Sequence, residues 1–184
     1  MKPWKRIEPT TIQKVGWRTI VTKTFELPNG QTEEFQLYDI EGRQFVAVVA
    51  LTPDRKVIVV RQFRPGPERF MDELPGGFAD SKDEGNILAA AKRELEEETG
   101  YRPGKLTYLG PVYKDCYSNA VWNYCLAEDC VPTGRGQQLE HVELGGCEAL
   151  LITIDRLIQN SRTGKMTDVE GVLLAYDHLI QARA

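Results

Sequence analysis

The run Val57-Ile58-Val59-Val60 limits the folds open to this chain more than any other segment. Side chains on a strand alternate between two faces, so four consecutive apolar residues leave neither face suited to water. Such a strand belongs inside a sandwich of layers. Residues 83–99 supply a layer. They contain no proline and are dominated by Ala, Leu, Glu, Lys and Arg, which predicts a helix, and Gly100 stands where a terminating glycine is expected. Strands are expected at 17–25, 34–40, 45–52, 56–61 and 70–74 before this helix, and at 106–112, 121–127 and 149–154 after it. Further helices are expected at 155–160 and 169–180. Pro28-Asn29-Gly30 should turn the first two strands into an antiparallel hairpin. Strands and helices in this mixed order predict an α+β domain with a central mixed sheet. An N-terminal β-hairpin region, 1–42, is expected ahead of a main domain, 43–184.

Composition excludes several classes of function. The chain has 184 residues, 41% hydrophobic and 27% charged, enough for an ordinary globular core. Its net charge of -4 gives no footprint for duplex nucleic acid, yet leaves room for a small anionic substrate in a local basic pocket. No apolar run approaches the roughly 18 residues that span a bilayer. No apolar signal core follows Met1-Lys2-Pro3-Trp4-Lys5-Arg6, so a cytoplasmic protein is expected. Cys116, Cys125, Cys130 and Cys147 form no CxxC pair, and only His141 and His178 accompany them. Scattered reduced thiols are a better reading of these cysteines than a zinc site.

The helix carries the chemistry. With Glu94 at 0° and about 100° per residue, Glu98 falls near 40° and Glu97 near 300°. Ile87, Ala91, Leu95 and Leu88 fall between about 20° and 120°, beside those carboxylates, while Glu96 lies opposite and should be solvated. Carboxylates bunched at the edge of a buried stripe repel one another unless a cation joins them, and hard divalent ions such as Mg²⁺ or Mn²⁺ prefer oxygen ligands. An ordinary solvated acidic face is the alternative for the helix taken alone. Pro75-Gly76-Gly77 lets backbone approach a ligand closely. Arg93, next to Glu97 on the wheel, can hold a carboxylate.

Arg93-Glu94-Leu95-Glu96-Glu97-Glu98-Thr99-Gly100-Tyr101 resembles the second half of the Nudix box, G-x5-E-x7-R-E-U-x-E-E-x-G-U with U bulky and apolar. The first half departs from it. The position eight before Arg93 is Gly85, not glutamate, and Gly77 lies sixteen residues before Arg93 instead of fourteen. A two-residue insertion within 78–84 explains both, and Asp83 and Glu84 are the carboxylates available to stand in. The resemblance implies a Nudix-type α/β/α sandwich that hydrolyses a nucleoside diphosphate linked to another moiety. It implies Mg²⁺ or Mn²⁺ held by Glu94, Glu97 and Glu98, with a backbone carbonyl from the 77–79 segment, Ala79 included. A carboxylate then takes the proton of the attacking water. Glu97, Glu140 and Glu143 are the candidates; for the last two a solvated loop position is the plainer reading.

The likeness extends over most of the chain and is nearest to ADP-ribose and nucleotide-sugar pyrophosphatases. It implies that Trp17 or Phe35 stacks on the nucleobase, that Arg64 grips phosphate, that Gly77 approaches the substrate, and that the protein is a homodimer. Packing is the plainer role for Phe35, and a structural ion pair is the alternative for Arg64. Gly164-Lys165-Met166-Thr167-Asp168 is a further match. The segment 114–119 lacks the proline usual in ADP-ribose relatives, and Ala120 stands where many carry glutamate. Dinucleoside polyphosphates, modified nucleotides, or nucleotide sensing without catalysis are therefore alternatives.

Overall fold

The computed structural model describes all residues except 1, 17, 40–43, 81, 82, 84, 139–145 and 184. The chain forms two compact units, 1–44 with 113–122, and 45–112 with 123–184.

In the first unit, β1 (Lys5–Val15), β2 (Arg18–Glu26) and β3 (Thr32–Asp39) form an antiparallel sheet in that order. The expected hairpin is β2–β3. Its turn closes through Leu27 and Gln31, whose backbone groups bond at 2.8 Å. The strand β1 was not anticipated, because its sequence shows no alternation and it is exposed along almost its whole length. The segment 113–122 joins β3 through a bridge between Tyr38 and Ser118. Trp4, Phe25, Phe35 and Tyr117 gather in one aromatic cluster, with Trp4 stacked on Phe35 at 5.4 Å.

The second unit is built on a mixed seven-stranded sheet. Its strands are β4 (Gln44–Leu51), β5 (Lys56–Arg64), β6 (Arg69–Glu73), β7 (Gly76–Ala79), β9 (Lys105–Val112), β10 (Val121–Glu128) and β12 (Cys147–Thr153). The main path runs β12-β5-β4-β10-β9, with β6 beside β5 and β7 beside β4. The short strands β8 (Tyr101–Arg102) and β11 (Val131–Pro132) pair separately. The helices are α1 (Ile87–Thr99), α2 (Ile154–Arg162), α3 (Val169–Leu174) and α4 (Tyr176–Arg183).

The doubly apolar strand is buried as expected, with Val57, Ile58 and Val59 wholly inaccessible. Ala90, Ala91 and Leu95 of α1 pack on Val46, Val48, Ala50 and Ile58. Burying a side chain such as Leu95 contributes about 1.5–3 kcal/mol, and this packing fixes which face of α1 looks outward. Two helix expectations change. Asp83, Gly85 and Asn86 lie outside α1, since Gly85 takes the left-handed φ of 74° and Asn86 caps the helix. The helix expected at 169–180 breaks at Ala175 into α3 and α4. Gly171 lies so close to Leu74 and Tyr124 that a Cβ there would come within 2.6 Å of both, which ties α3 to the sheet.

Candidate functional site

The acidic face of α1 is anchored at both ends. Asn86 Oδ1 accepts from the N–H groups of Leu88 and Ala89 at 3.0 and 3.2 Å. Gly100 closes the helix at φ 73° and donates to the Glu96 carbonyl. Ala91 and Leu95 are buried as the wheel requires, whereas Leu88 at the stripe's edge is exposed.

Arg93 is the hub of the site. Its Nε and Nη2 donate to the two carboxylate oxygens of Asp83 at 3.0 and 2.8 Å. Nη2 also donates to the Phe78 carbonyl at 2.9 Å, and Nη1 to Glu94 and Glu97 at 2.8 and 3.0 Å. These contacts, led by Asp83, raise the guanidinium pKa further above its ordinary value. Asp83 is buried and also accepts the Asp80 N–H at 2.9 Å, so its carboxylate links Asp80 to Arg93 of α1. Phe78 is seated by its ring, 4.0 Å from that of Phe45. Glu84 lies outside the described residues.

Glu98 turns the other way and accepts the Gly76 N–H at 2.7 Å. A Cβ on Gly77 would stand 2.6 Å from Glu94 Oε1, so the missing side chain allows that carboxylate to lie against backbone. Ala79, at the end of β7, is half-buried against the α1 core. Burial raises the pKa of Glu94, with Arg93 acting in the opposite direction. Among the described residues, no group of three or more acidic, histidine or cysteine side chains is placed to hold a metal ion. Arg93 instead bridges Glu94 and Glu97 while Glu98 engages Gly76. The donor chemistry nevertheless fits a hard cation: the helix carries three carboxylates within two turns, and Glu94, more buried than Glu97, has an ionised form disfavoured by burial.

Arg64 is gripped by Glu73 through two hydrogen bonds, a partner that nothing in the neighbouring sequence announces. The β5–β6 register, Val60–Glu73 and Arg64–Arg69, puts both on one face of the hairpin four residues apart, a gap that the long arginine side chain spans. Predicting that hairpin would have put the two on one face, though not opposite each other. The bond raises the Arg64 pKa, and the charges of Glu98 and Asp168 add to it. Arg64 thus faces the acidic side of the second unit and is half-exposed. Asp168 is buried and accepts the Leu74 N–H at 3.2 Å. Phe35 lies in the aromatic cluster of the first unit. Trp17, Glu140 and Glu143 lie outside the described residues. The chain leading to the last two is bound to α1, however: Gln138 N–H donates to the Glu97 carbonyl at 2.7 Å and the Gln137 amide to that of Glu98.

None of the four cysteines forms a disulfide. Cys125 and Cys130 lie in the apolar core, where burial pushes their thiols up to about 11 and about 12. Neutral buried thiols are the expected state there.

Residues 42–169 match the NUDIX domain model, which covers more than two thirds of the chain, so the chain belongs to the Nudix family and is a pyrophosphohydrolase by class. It is 31% identical over 146 residues to the ADP-ribose pyrophosphatase of Bacillus subtilis (strain 168), a match covering 79% of this chain and 76% of that one. It is 38% identical over 84 residues to the methanol dehydrogenase activator of Bacillus methanolicus, covering 46% of this chain and 43% of that protein. A crystal structure of an ADP compounds hydrolase superposes with a TM-score of 0.80 at 21% identity, covering 100% of this chain and 98% of the other, which supports the fold. Among the described residues, no helix is long and apolar enough to cross a membrane.

Proposed function

We propose that this chain hydrolyses the diphosphate of ADP-ribose or a related nucleotide-sugar, releasing a nucleoside monophosphate and a sugar phosphate. The observation that carries this reading is the Arg93 hub, which holds Glu94 and Glu97 on one side and the 78–83 loop on the other. The relative from Bacillus subtilis lends the substrate class.

Glu94, Glu97 and Glu98 would hold Mg²⁺ or Mn²⁺, with a carbonyl from the 77–79 segment, Ala79 among them. When bound, the metal neutralises phosphate charge and lowers the pKa of the attacking water. Arg93 keeps two carboxylates aimed at one region, so little reorganisation is needed as charge develops. Gly77, whose missing side chain lets Glu94 lie against the backbone, brings that backbone close to the substrate. Arg64, oriented by Glu73, presents its free N–H groups to a phosphate oxygen. A carboxylate removes the water's proton: Glu97 from the helix, or Glu140 or Glu143 from the loop whose start is bonded to the helix end. Trp17 and Phe35 supply aromatic surface for the base, Phe35 only if its stack with Trp4 opens. The region 1–42 serves base binding and dimerisation, and the working form is a homodimer.

The test is a panel of nucleotide-sugars, dinucleoside polyphosphates and modified triphosphates, incubated with Mg²⁺ or Mn²⁺ and resolved by mass spectrometry. A nucleoside monophosphate and a sugar phosphate are the expected products. Turnover confined to the other two groups overturns the substrate assignment, and tight ADP-ribose binding without product overturns the hydrolytic one.

A further inference from the structure

A cavity of about 870 Å³ opens on the opposite side of the β5–β6 hairpin from Arg64 and Glu73. The register shows why the hairpin has two distinct faces. Arg61 pairs with Asp72 and Phe63 with Phe70, so these four side chains project together, while Gln62, Arg64, Arg69, Met71 and Glu73 start from the other face. Arg69, at the end of the hairpin, nevertheless lines the cavity, where it meets the Gly164 carbonyl. The helix α2 covers the first face, where Asn160 donates to Asp72 at 2.7 Å. The cavity is therefore separate from the acidic face of α1.

Its floor is a closed polar network. Asp72 and Asn160 are 3% and 5% exposed. Arg61 donates to one Asp72 oxygen from Nε at 2.8 Å and from Nη2 at 2.7 Å, which neutralises the buried charge and fixes the guanidinium. The rim carries surplus positive charge. Arg69 is held by the Gly164 carbonyl at 2.9 Å, an uncharged partner. Arg156 and Lys165 have no carboxylate partner among the described residues. The other acid in the lining, Asp155, is paired with Arg183 at 2.8 Å. Three cations thus line one concavity with no acid assigned to them, an arrangement that favours an anion. Phe70 adds an apolar face at the rim, 61% exposed and set edge-on to Phe63.

We propose that this cavity is a second ligand site, which takes a small phosphate-bearing molecule and has room for a nucleoside against Phe70. The fork of an arginine matches phosphate oxygens pairwise, which a carboxylate-paired surface arginine is not free to do. The volume lies within the range of small-molecule sites, and the floor is held in place before any ligand arrives.

The experiment is calorimetric titration of the full chain with inorganic pyrophosphate and with ADP, under a chelator that keeps divalent metals away. No turnover is read, so a failure here is distinct from a failure of the hydrolytic proposal. Saturable binding is expected, weakened at least about tenfold by Arg156→Glu and by Lys165→Glu, and little altered by Arg64→Ala. Both substituted residues are exposed, and unchanged thermal unfolding of the variants verifies their fold. Phe70→Ala should weaken ADP more than pyrophosphate. No saturable binding below about 10 mM, in the affinity range where one charge-assisted contact still registers, overturns the site. Binding that falls with Arg64→Ala as much as with the rim variants overturns it as well.

Discussion

Glu94 and Glu97 share one arginine yet stand in different surroundings. Burial holds the Glu94 carboxyl above the ordinary carboxylate range. The folded state therefore binds that proton more tightly than the unfolded state does. Glu94's contribution to stability is fully present below the unfolded value and is lost as pH rises through the raised folded value. At neutral pH the ionised group opposes folding. Glu94→Gln is accordingly expected to raise the denaturation midpoint of chelator-treated protein at neutral pH, and to narrow its difference from the wild type as pH falls; a lower neutral midpoint would show that the pair with Arg93 outweighs burial. Glu97 is more exposed, and its removal should be felt in the reaction. Glu97→Gln should lower kcat at least about 10²-fold with the unfolding transition intact, as steady-state kinetics will show. An unchanged kcat removes Glu97 from the mechanism. These carboxylates are legible from the residue pattern of the box alone. Asp83 is visible there only as one of two stand-ins, because an insertion scrambles the spacing that would have singled it out. Glu73 carries no local signal at all, since its partner lies on the neighbouring strand.

At the scale of elements, β7 and α1 meet through two adjacent glycines with different jobs. A Cβ on Gly76 would stand 2.2 Å from the Val46 carbonyl, which is backbone and cannot swing aside. A Cβ on Gly77 would meet only the movable end of Glu94. Gly76→Ala should therefore destabilise the protein by about 1–3 kcal/mol in denaturant unfolding. Gly77→Ala should cost less stability but lower kcat by roughly 10–100-fold, because a small displacement of a reacting group is expensive. The reverse ranking would mean that Glu94 is the rigid partner. Sequence patterns located most strands and α1, whose periodicities are strong. They missed β1, which is exposed on both sides, and they merged α3 with α4, because an apolar pattern runs across Ala175 while the attachment of Gly171 to Leu74 and Tyr124 is a tertiary fact.

At the scale of the whole molecule, the first unit takes in 113–122 besides its N-terminal strands, so it is not a contiguous appendage. Its role in a homodimer is open to measurement. Sedimentation equilibrium should give twice the chain mass, and a monomer would refute the proposed assembly. Trp17→Ala should raise KM for the nucleotide-sugar more than it lowers kcat. If the variant instead becomes monomeric with KM unaltered, Trp17 belongs to an interface and not to base recognition.

Taken alone, the amino-acid order determined the buried strand, the acidic helix and its family, because hydrophobic period and motif spacing are local and survive without knowledge of contacts. Only the tertiary structure decided what those groups touch: that Arg93 reaches Asp83 and the Phe78 carbonyl, that Arg64 is oriented by Glu73, and that the two faces of one hairpin carry different chemistry. Such partners depend on strand register and helix placement, which join residues far apart along the chain and are set by the packing of the whole core.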